Sequence, residues 1–222
     1  MQASPDMDTR PIPEPDLALR RRFAEGDRAA FGTLVEPLLD PLYTFCLRVV
    51  GRPLDAEELA QEALERALRA HWRYDPGRPF RPWLFRIALN LCRDRLRTPW
   101  WRSLLGLESA PAQISELNAA TQLEALDDDA IVRAALLSLP PMYREALALF
   151  HVEELPYETM AEIVGVAVPA LKQRVRRGRE MMRRVLESTY PERVSPRIGI
   201  IETQDDPCSS TPQAPRRGGS AR

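Results

Sequence analysis

Apolar residues recur along most of the chain at intervals of three, four or seven, the spacing that buries one side of a helix. Phe23, Ala30, Phe31, Leu34, Leu38 and Leu42 form the first such stripe, and Pro37 and Pro41 are expected to kink or divide it. Gly51–Pro53 interrupts the pattern. Asp55 then reads as the N-cap of a helix from Ala56 to about Trp72, with Leu59, Ala63, Leu64, Ala67 and Leu68 facing inward. Tyr74–Pro82 holds three prolines and a glycine, which predicts a loop. A further helix is expected from Trp83 to about Arg97, burying Leu84, Ile87, Ala88 and Leu91 and ending before Thr98–Pro99.

Beyond it, Trp100–Asp129 reads as a linker, apolar at first and then acidic. A second helical block is predicted from Ala130 to about Leu186. Pro140–Pro141 sets off a helix over Met142–Val152, and Pro156 fits the first helical position ahead of Tyr157–Val164. The proline-rich ends, Met1–Pro15 and Ser188–Arg222, contain too little apolar surface to offset the entropy of ordering and are expected to be disordered. Only Ile198–Ile201 resembles a strand. The expected fold class is all-α: two small helical domains, 17–98 and 130–187, joined by a flexible acidic linker over 99–129, with a disordered N-terminus over 1–16 and a flexible tail over 188–222.

A formal net charge of −1 speaks at first against nucleic acid, but the charges are segregated. Nine arginines stand between Arg69 and Arg102 against Asp75 and Asp94, and seven bases between Lys172 and Arg184 against Glu180. Ser103–Ala130 holds six acids and no base. Two basic blocks separated by an acidic connector suit a protein that grips an anionic polymer at two places. Cys46, Cys92 and Cys208 are widely separated, and the first two fall on apolar stripes, so they read as small buried hydrophobes rather than metal ligands or nucleophiles. No apolar run is long enough to cross a bilayer, and Met1–Pro15 lacks the apolar centre of a secretory leader. The cytoplasm, no membrane insertion and no cofactor or metal are the expectations.

The sharpest local pattern is Tyr157–Arg184. Met160, Ala161, Val164, Gly165, Val166, Leu171 and Val175 have the spacing of a helix-turn-helix, in which a small residue allows close approach and a glycine makes the turn. The second helix presents Lys172, Gln173, Arg174, Arg176, Arg177 and Arg179, side chains suited to base edges and phosphates in a major groove. Gly178 in its interior costs about 1 kcal/mol relative to alanine, which only close packing would justify.

The N-terminal half carries a second, longer pattern. Gly26-Asp27, Ala30-Phe31 and Leu34 open it, and Asp55-Ala56-Glu57-Glu58-Leu59-Ala60-Gln61-Glu62 follows. Phe80, Trp83-Leu84, Ile87-Ala88-Leu89-Asn90, Asp94 and Arg97 complete it. In this order and spacing the chain resembles the extracytoplasmic-function (ECF) sigma factors of bacterial RNA polymerase. Tyr157–Arg179 resembles that family's second-domain reader, with Met160 and Leu171 in place of its usual Ile and Val.

The resemblance implies a monomeric, non-enzymatic factor that binds core RNA polymerase, recognises promoter DNA and is restrained by an anti-sigma factor. It implies polymerase docking through Asp55, Glu57, Glu58, Gln61, Glu62 and Glu65, in a segment with five acids and no base. It implies minus-ten recognition and melting through Arg78, Phe80, Trp83, Asn90, Arg93 and Arg97, with Asn90 reading an unstacked base. Phe80, Trp83 and Leu84 read more readily as packed core than as base-stacking platforms. Minus-thirty-five reading falls to Lys172–Arg179. The proline-rich 75–79 loop and Arg176 depart from the family pattern, so the promoter sequence does not carry over. The alternative is a helix-turn-helix regulator that is not a polymerase subunit, which leaves the N-terminal pattern unexplained. An enzyme would need a catalytic cluster, whereas His71 and His151 are isolated and no glycine-rich phosphate loop occurs.

Overall fold

Phe23 is the point around which the N-terminal helices assemble. The computed structural model describes residues 15–97, 128–152 and 155–189, and among these every regular element is helical. The N-terminal unit comprises α1 (Leu17–Ala24), α2 (Arg28–Val35), a 3-10 turn (Glu36–Leu38), α3 (Leu39–Val50), α4 (Pro53–Arg69), a second 3-10 turn (His71–Arg73) and α5 (Phe80–Arg97). The C-terminal unit comprises α6 (Asp128–Leu137), α7 (Pro141–Val152), α8 (Tyr157–Val164) and α9 (Val168–Thr189). The linker, the Ile198–Ile201 run and both termini as predicted lie outside the described residues, save for a few flanking positions.

Local chemistry sets these boundaries. The Asp27 side chain accepts the N–H groups of Ala29 and Ala30 at 2.8 and 3.1 Å, capping α2. Pro37 falls in the 3-10 turn and Pro41 in the first turn of α3, dividing the stripe as expected. Two starts differ from the sequence reading. Helix α4 begins at Pro53, with Arg52 as N-cap, so Asp55 lies inside the first turn and is no cap. Helix α5 begins at Phe80 rather than Trp83. In both cases a proline sits in the first turn, where its missing N–H would have had no intrahelical acceptor. Pro156 is the residue before α8, one position earlier than expected.

The rings of Phe31, Tyr74, Phe80 and Trp83 lie with centroids 5.3, 5.5, 5.3 and 5.9 Å from that of Phe23. Phe45, Leu59, Leu84, Phe85 and Leu89 extend this core, and Cys46 and Cys92 are buried within it. In the C-terminal unit Gly165 (φ +79°) ends α8, and its N–H and that of Val166 both return to the Ala161 carbonyl. This is the αL turn that a glycine permits. Gly178 is now explained. A β-carbon there would lie 3.1 Å from Leu147 and 3.4 Å from Tyr143, because α9 crosses α7 at that point.

The two units share one buried core, with α3 against α6 and α7, and α5 against α8. At the junction Leu137 occupies the space a side chain at Gly51 would need. Arg144, almost wholly buried, donates to the carbonyls of Leu136, Leu137 and Leu139 at 3.1, 2.6 and 3.0 Å, and to Val49 of α3 at 3.1 Å.

Candidate nucleic-acid and protein interfaces

Three charged surfaces have distinct surroundings. On α4, Glu57, Glu58, Gln61 and Glu65 are exposed and Glu62 is half-buried, on the side opposite Leu59, Ala60, Ala63 and Ala67. Glu62 pairs with Arg66 at 2.6 Å and Glu65 with Arg69 at 2.9 Å, one turn along the helix. Such exposed pairs are worth little and leave the carboxylates available to a partner. Asp55 differs from the rest. It is buried, meets Arg95 of α5 at 2.7 Å and Arg52 at 3.5 Å, and so fastens α4 to α5. Of the residues expected to dock polymerase, it is the one that lies in the α4–α5 seam. Arg95 also meets Glu58 at 2.8 Å, and this hydrogen bond, ahead of the nearby Asp55 and Glu62 charges, raises its pKa. The sequence reading passed over Arg95.

The second surface is formed by the 74–79 loop and the outer face of α5. Asp75 accepts the Gly77 N–H at 2.8 Å, closing an Asx turn. The Arg78 carbonyl accepts the Tyr74 hydroxyl at 2.6 Å and an Arg20 N–H at 2.8 Å. The 74–79 loop, which carries Pro76 and Pro79, is thereby tied to Arg20 and across itself. Asn90 and Arg97 are exposed, and Trp83 is partly buried. Phe80, also expected at the melted strand, is fully buried and packs against Tyr74 under the loop. Arg78 and Arg93 turn towards the C-terminal unit. Arg78 meets Glu162 at 2.8 Å, and Arg93 forms a two-pronged pair with Glu145 at 3.1 and 2.7 Å.

Neither Glu145 nor Glu162 was singled out from sequence. Glu145 did carry a signal, since it and Arg144 interrupt the otherwise apolar run Met142–Phe150. A charge on a buried stripe requires a buried partner.

The third surface is α9. Leu171, Val175, Gly178 and Met182 face inward, while Gln173, Arg176 and Arg177 are exposed. Positions 173, 176 and 177 lie one turn apart on one face. Lys172 and Arg179 are half-buried and flank that face on aromatic supports. The Lys172 Nζ lies 5.2 Å from the Tyr157 ring centroid, and the Arg179 guanidinium 4.2 Å from that of Phe150. These cation–π contacts hold two long side chains in place beside the exposed face. Arg174 is half-buried too. Among the described residues no group of His, Cys, Asp or Glu could hold a metal ion, and no helix is long and apolar enough to cross a membrane.

Comparison with known proteins places these surfaces in context. Residues 34–102 match the family profile of sigma-70 region 2, and residues 129–182 match sigma-70 region 4. The ECF RNA polymerase sigma factor SigW of Bacillus subtilis is 34% identical over 185 residues, covering 77% of this chain and 98% of SigW. Among solved structures, CnrH in complex with the cytosolic domain of CnrY is similar with a TM-score of 0.60 and 29% identity, covering 78% of this chain and 97% of that one. The sigma factor RpoE of Bartonella quintana, in complex with the anti-sigma factor NepR, gives a TM-score of 0.56 and 25% identity over 71% of this chain and 96% of that one.

Proposed function

The chain belongs to the ECF sigma factors of bacterial RNA polymerase, and on that premise we propose how its surfaces divide the work of transcription initiation. As a sigma factor it directs polymerase to promoters, and the alternative of a free-standing helix-turn-helix regulator falls away. In our reading residues 17–98 form the polymerase- and minus-ten-binding domain and residues 130–187 the minus-thirty-five domain. Core polymerase docks on Glu57, Glu58, Gln61, Glu62 and Glu65 of α4. Gln173, Arg176 and Arg177 read the upstream duplex, with Lys172, Arg174 and Arg179 on adjacent phosphates. Asn90 hydrogen-bonds a base taken out of the stack, beside the braced 74–79 loop and Trp83, while Arg78, Arg93 and Arg97 neutralise the strand.

The observation that carries this division is the face of α9. Three exposed polar and basic side chains are flanked by two cations already seated on aromatic rings, an arrangement that suits an anionic groove and has no packing purpose of its own. The factor performs no reaction itself and works in the cytoplasm with polymerase. Its partners are core polymerase, promoter DNA and an anti-sigma protein, the last supported by the NepR-bound relative.

Footprinting tests the division of labour. Arg176→Ala and Arg177→Ala should weaken closed-complex formation, since loss of a base contact costs about 1–3 kcal/mol. Asn90→Ala should leave duplex binding intact and lower permanganate reactivity of the melted strand. Equal closed-complex defects in all three variants would refute the scheme.

A further inference from the structure

Trp72 is the one exposed aromatic side chain among the described residues, at 68% exposure. Its neighbours in the chain are fastened. His71 donates from Nδ1 to the Ala24 carbonyl of α1 at 3.1 Å, and its ring stands edge-on to Phe23. It packs so close to Gly26 that a β-carbon there would lie 3.2 Å from its Cε1. Tyr74 is buried among the aromatic rings, and its N–H returns to the His71 carbonyl at 3.0 Å. The 3-10 turn is thus held on both sides of Trp72, while the indole itself stays outside the core. The Arg73 guanidinium lies 5.0 Å from the Trp72 ring centroid and forms no ion pair among the described residues. The acids nearest in sequence are engaged elsewhere. Asp75 accepts the Gly77 N–H at 2.8 Å and meets Arg78 at 3.7 Å, and Glu65 meets Arg69 at 2.9 Å.

We infer that Trp72 and Arg73 form a second contact for single-stranded DNA, in which an unstacked base lies on the indole and the guanidinium meets a neighbouring phosphate. The inference rests on the assignment of the 74–79 loop and α5 to the melted strand. Three physical arguments support it. The first is position. The Tyr74 ring centroid lies 5.0 Å from that of Trp83, so the turn that carries Trp72 borders that surface, and a strand leaving it passes over the turn. The second is stacking. Every base offers a flat π-face to an indole, and a platform on a turn already pinned at His71 and Tyr74 loses little freedom when it binds. The third is the sign of the charge, which decides between a strand and a protein partner. The acidic stretch of α4 ends at Glu65, and Arg66, Arg69 and Arg73 follow it. A partner basic enough to dock on Glu57, Glu58 and Glu62 is repelled by Arg73, whose charge no carboxylate offsets, whereas a phosphate is attracted.

The test uses holoenzyme assembled from core polymerase and the full chain. A promoter chosen by run-off transcription is supplied as duplex and with its melted region pre-opened by mismatches. Replacing Trp72 removes no core packing, so the variants should stay folded by circular dichroism. Trp72→Ala should bind the pre-opened promoter about tenfold more weakly, the order of one lost base–aromatic stack, while Trp72→Phe, which keeps a ring, should stay within about threefold of the unsubstituted protein. Arg73→Ala should flatten the salt dependence of the same binding by about one released counterion. Closed-complex formation on the duplex and binding to core polymerase should not change. An abasic site at one position of the non-template strand should weaken the unsubstituted protein and leave Trp72→Ala unaffected, which identifies the stacked base. Unchanged affinity of Trp72→Ala for the pre-opened promoter, or an unchanged salt slope in Arg73→Ala, would overturn the proposal. Loss of core binding by Trp72→Ala would overturn it too, by making the indole a protein contact. Asn90→Ala, measured in parallel, keeps the two assignments apart: a loss for Asn90→Ala alone removes Trp72 from the strand, and a loss for Trp72→Ala alone keeps the stacking site and overturns the minus-ten role of Asn90.

Discussion

Replacing Arg144 with methionine should unfold the C-terminal unit at markedly lower denaturant. The side chain donates four hydrogen bonds to carbonyls, three at the end of α6 and one at the end of α3. Hydrogen bonds from a charged donor are worth about 1.5–3 kcal/mol each. Opposing them is burial of the guanidinium, which pushes its pKa down to about 10 despite the nearby Glu145 charge. A shift of that size corresponds to a cost of about 3 kcal/mol. In the methionine variant the Leu136 carbonyl keeps the Leu139 N–H at 3.1 Å, so of the four acceptors that lose Arg144 only three are left without a bond. The balance is a loss of about 2–6 kcal/mol, or a fall in Tm of roughly 5–20 °C for a protein of this size. Arg144→Lys retains charge but cannot fork to both helix ends, and should fall between the two. Urea denaturation followed by circular dichroism measures the effect. A loss below about 1 kcal/mol for the methionine variant would refute the reasoning, because the carbonyls would then have found water or other donors.

Further expectations concern the glycines, the α2 cap and the docking face. Gly178→Val should destabilise by about 2 kcal/mol through overpacking against Leu147, whereas Gly32→Ala, with nothing within 4 Å of the new methyl, should stabilise by about 0.5–1 kcal/mol; paired urea melts decide both. The Ala30 N–H, followed by the Arg22 hydrogen bond, lowers the pKa of Asp27. Its contribution should therefore be present above the ordinary carboxylate range and disappear as pH falls through the depressed value, and an acid titration of Asp27→Asn should lack that component. Glu58→Lys combined with Glu62→Lys should weaken core polymerase binding in a pull-down while the protein stays helical; full binding by the folded double variant would remove α4 from the docking surface.

Helix positions, the helix-turn-helix and the separation of charge were legible in the amino-acid sequence because each depends on residues close together along the chain. Periodicity places Leu59, Ala63 and Ala67 on one side of α4 whatever they pack against, and Gly165 permits its turn locally. Boundaries were less legible where a proline could either break a helix or open one, as at Pro53 and Pro82; that choice depends on which backbone groups go unpaired. Tertiary structure alone decided the fate of individual charged and aromatic side chains. Asp55 and Glu58 both lie on an acidic stretch of α4, yet one is buried on Arg95 and the other largely exposed. Phe80 and Trp83 share a motif, yet one is sealed beneath Tyr74 and the other is partly open. Arg93 reads as one more base in a basic helix until α7 brings Glu145 to it across 52 positions of the chain. Composition supplies the charges, but whether a charge faces solvent, DNA or a carboxylate depends on which distant helix the fold sets beside it.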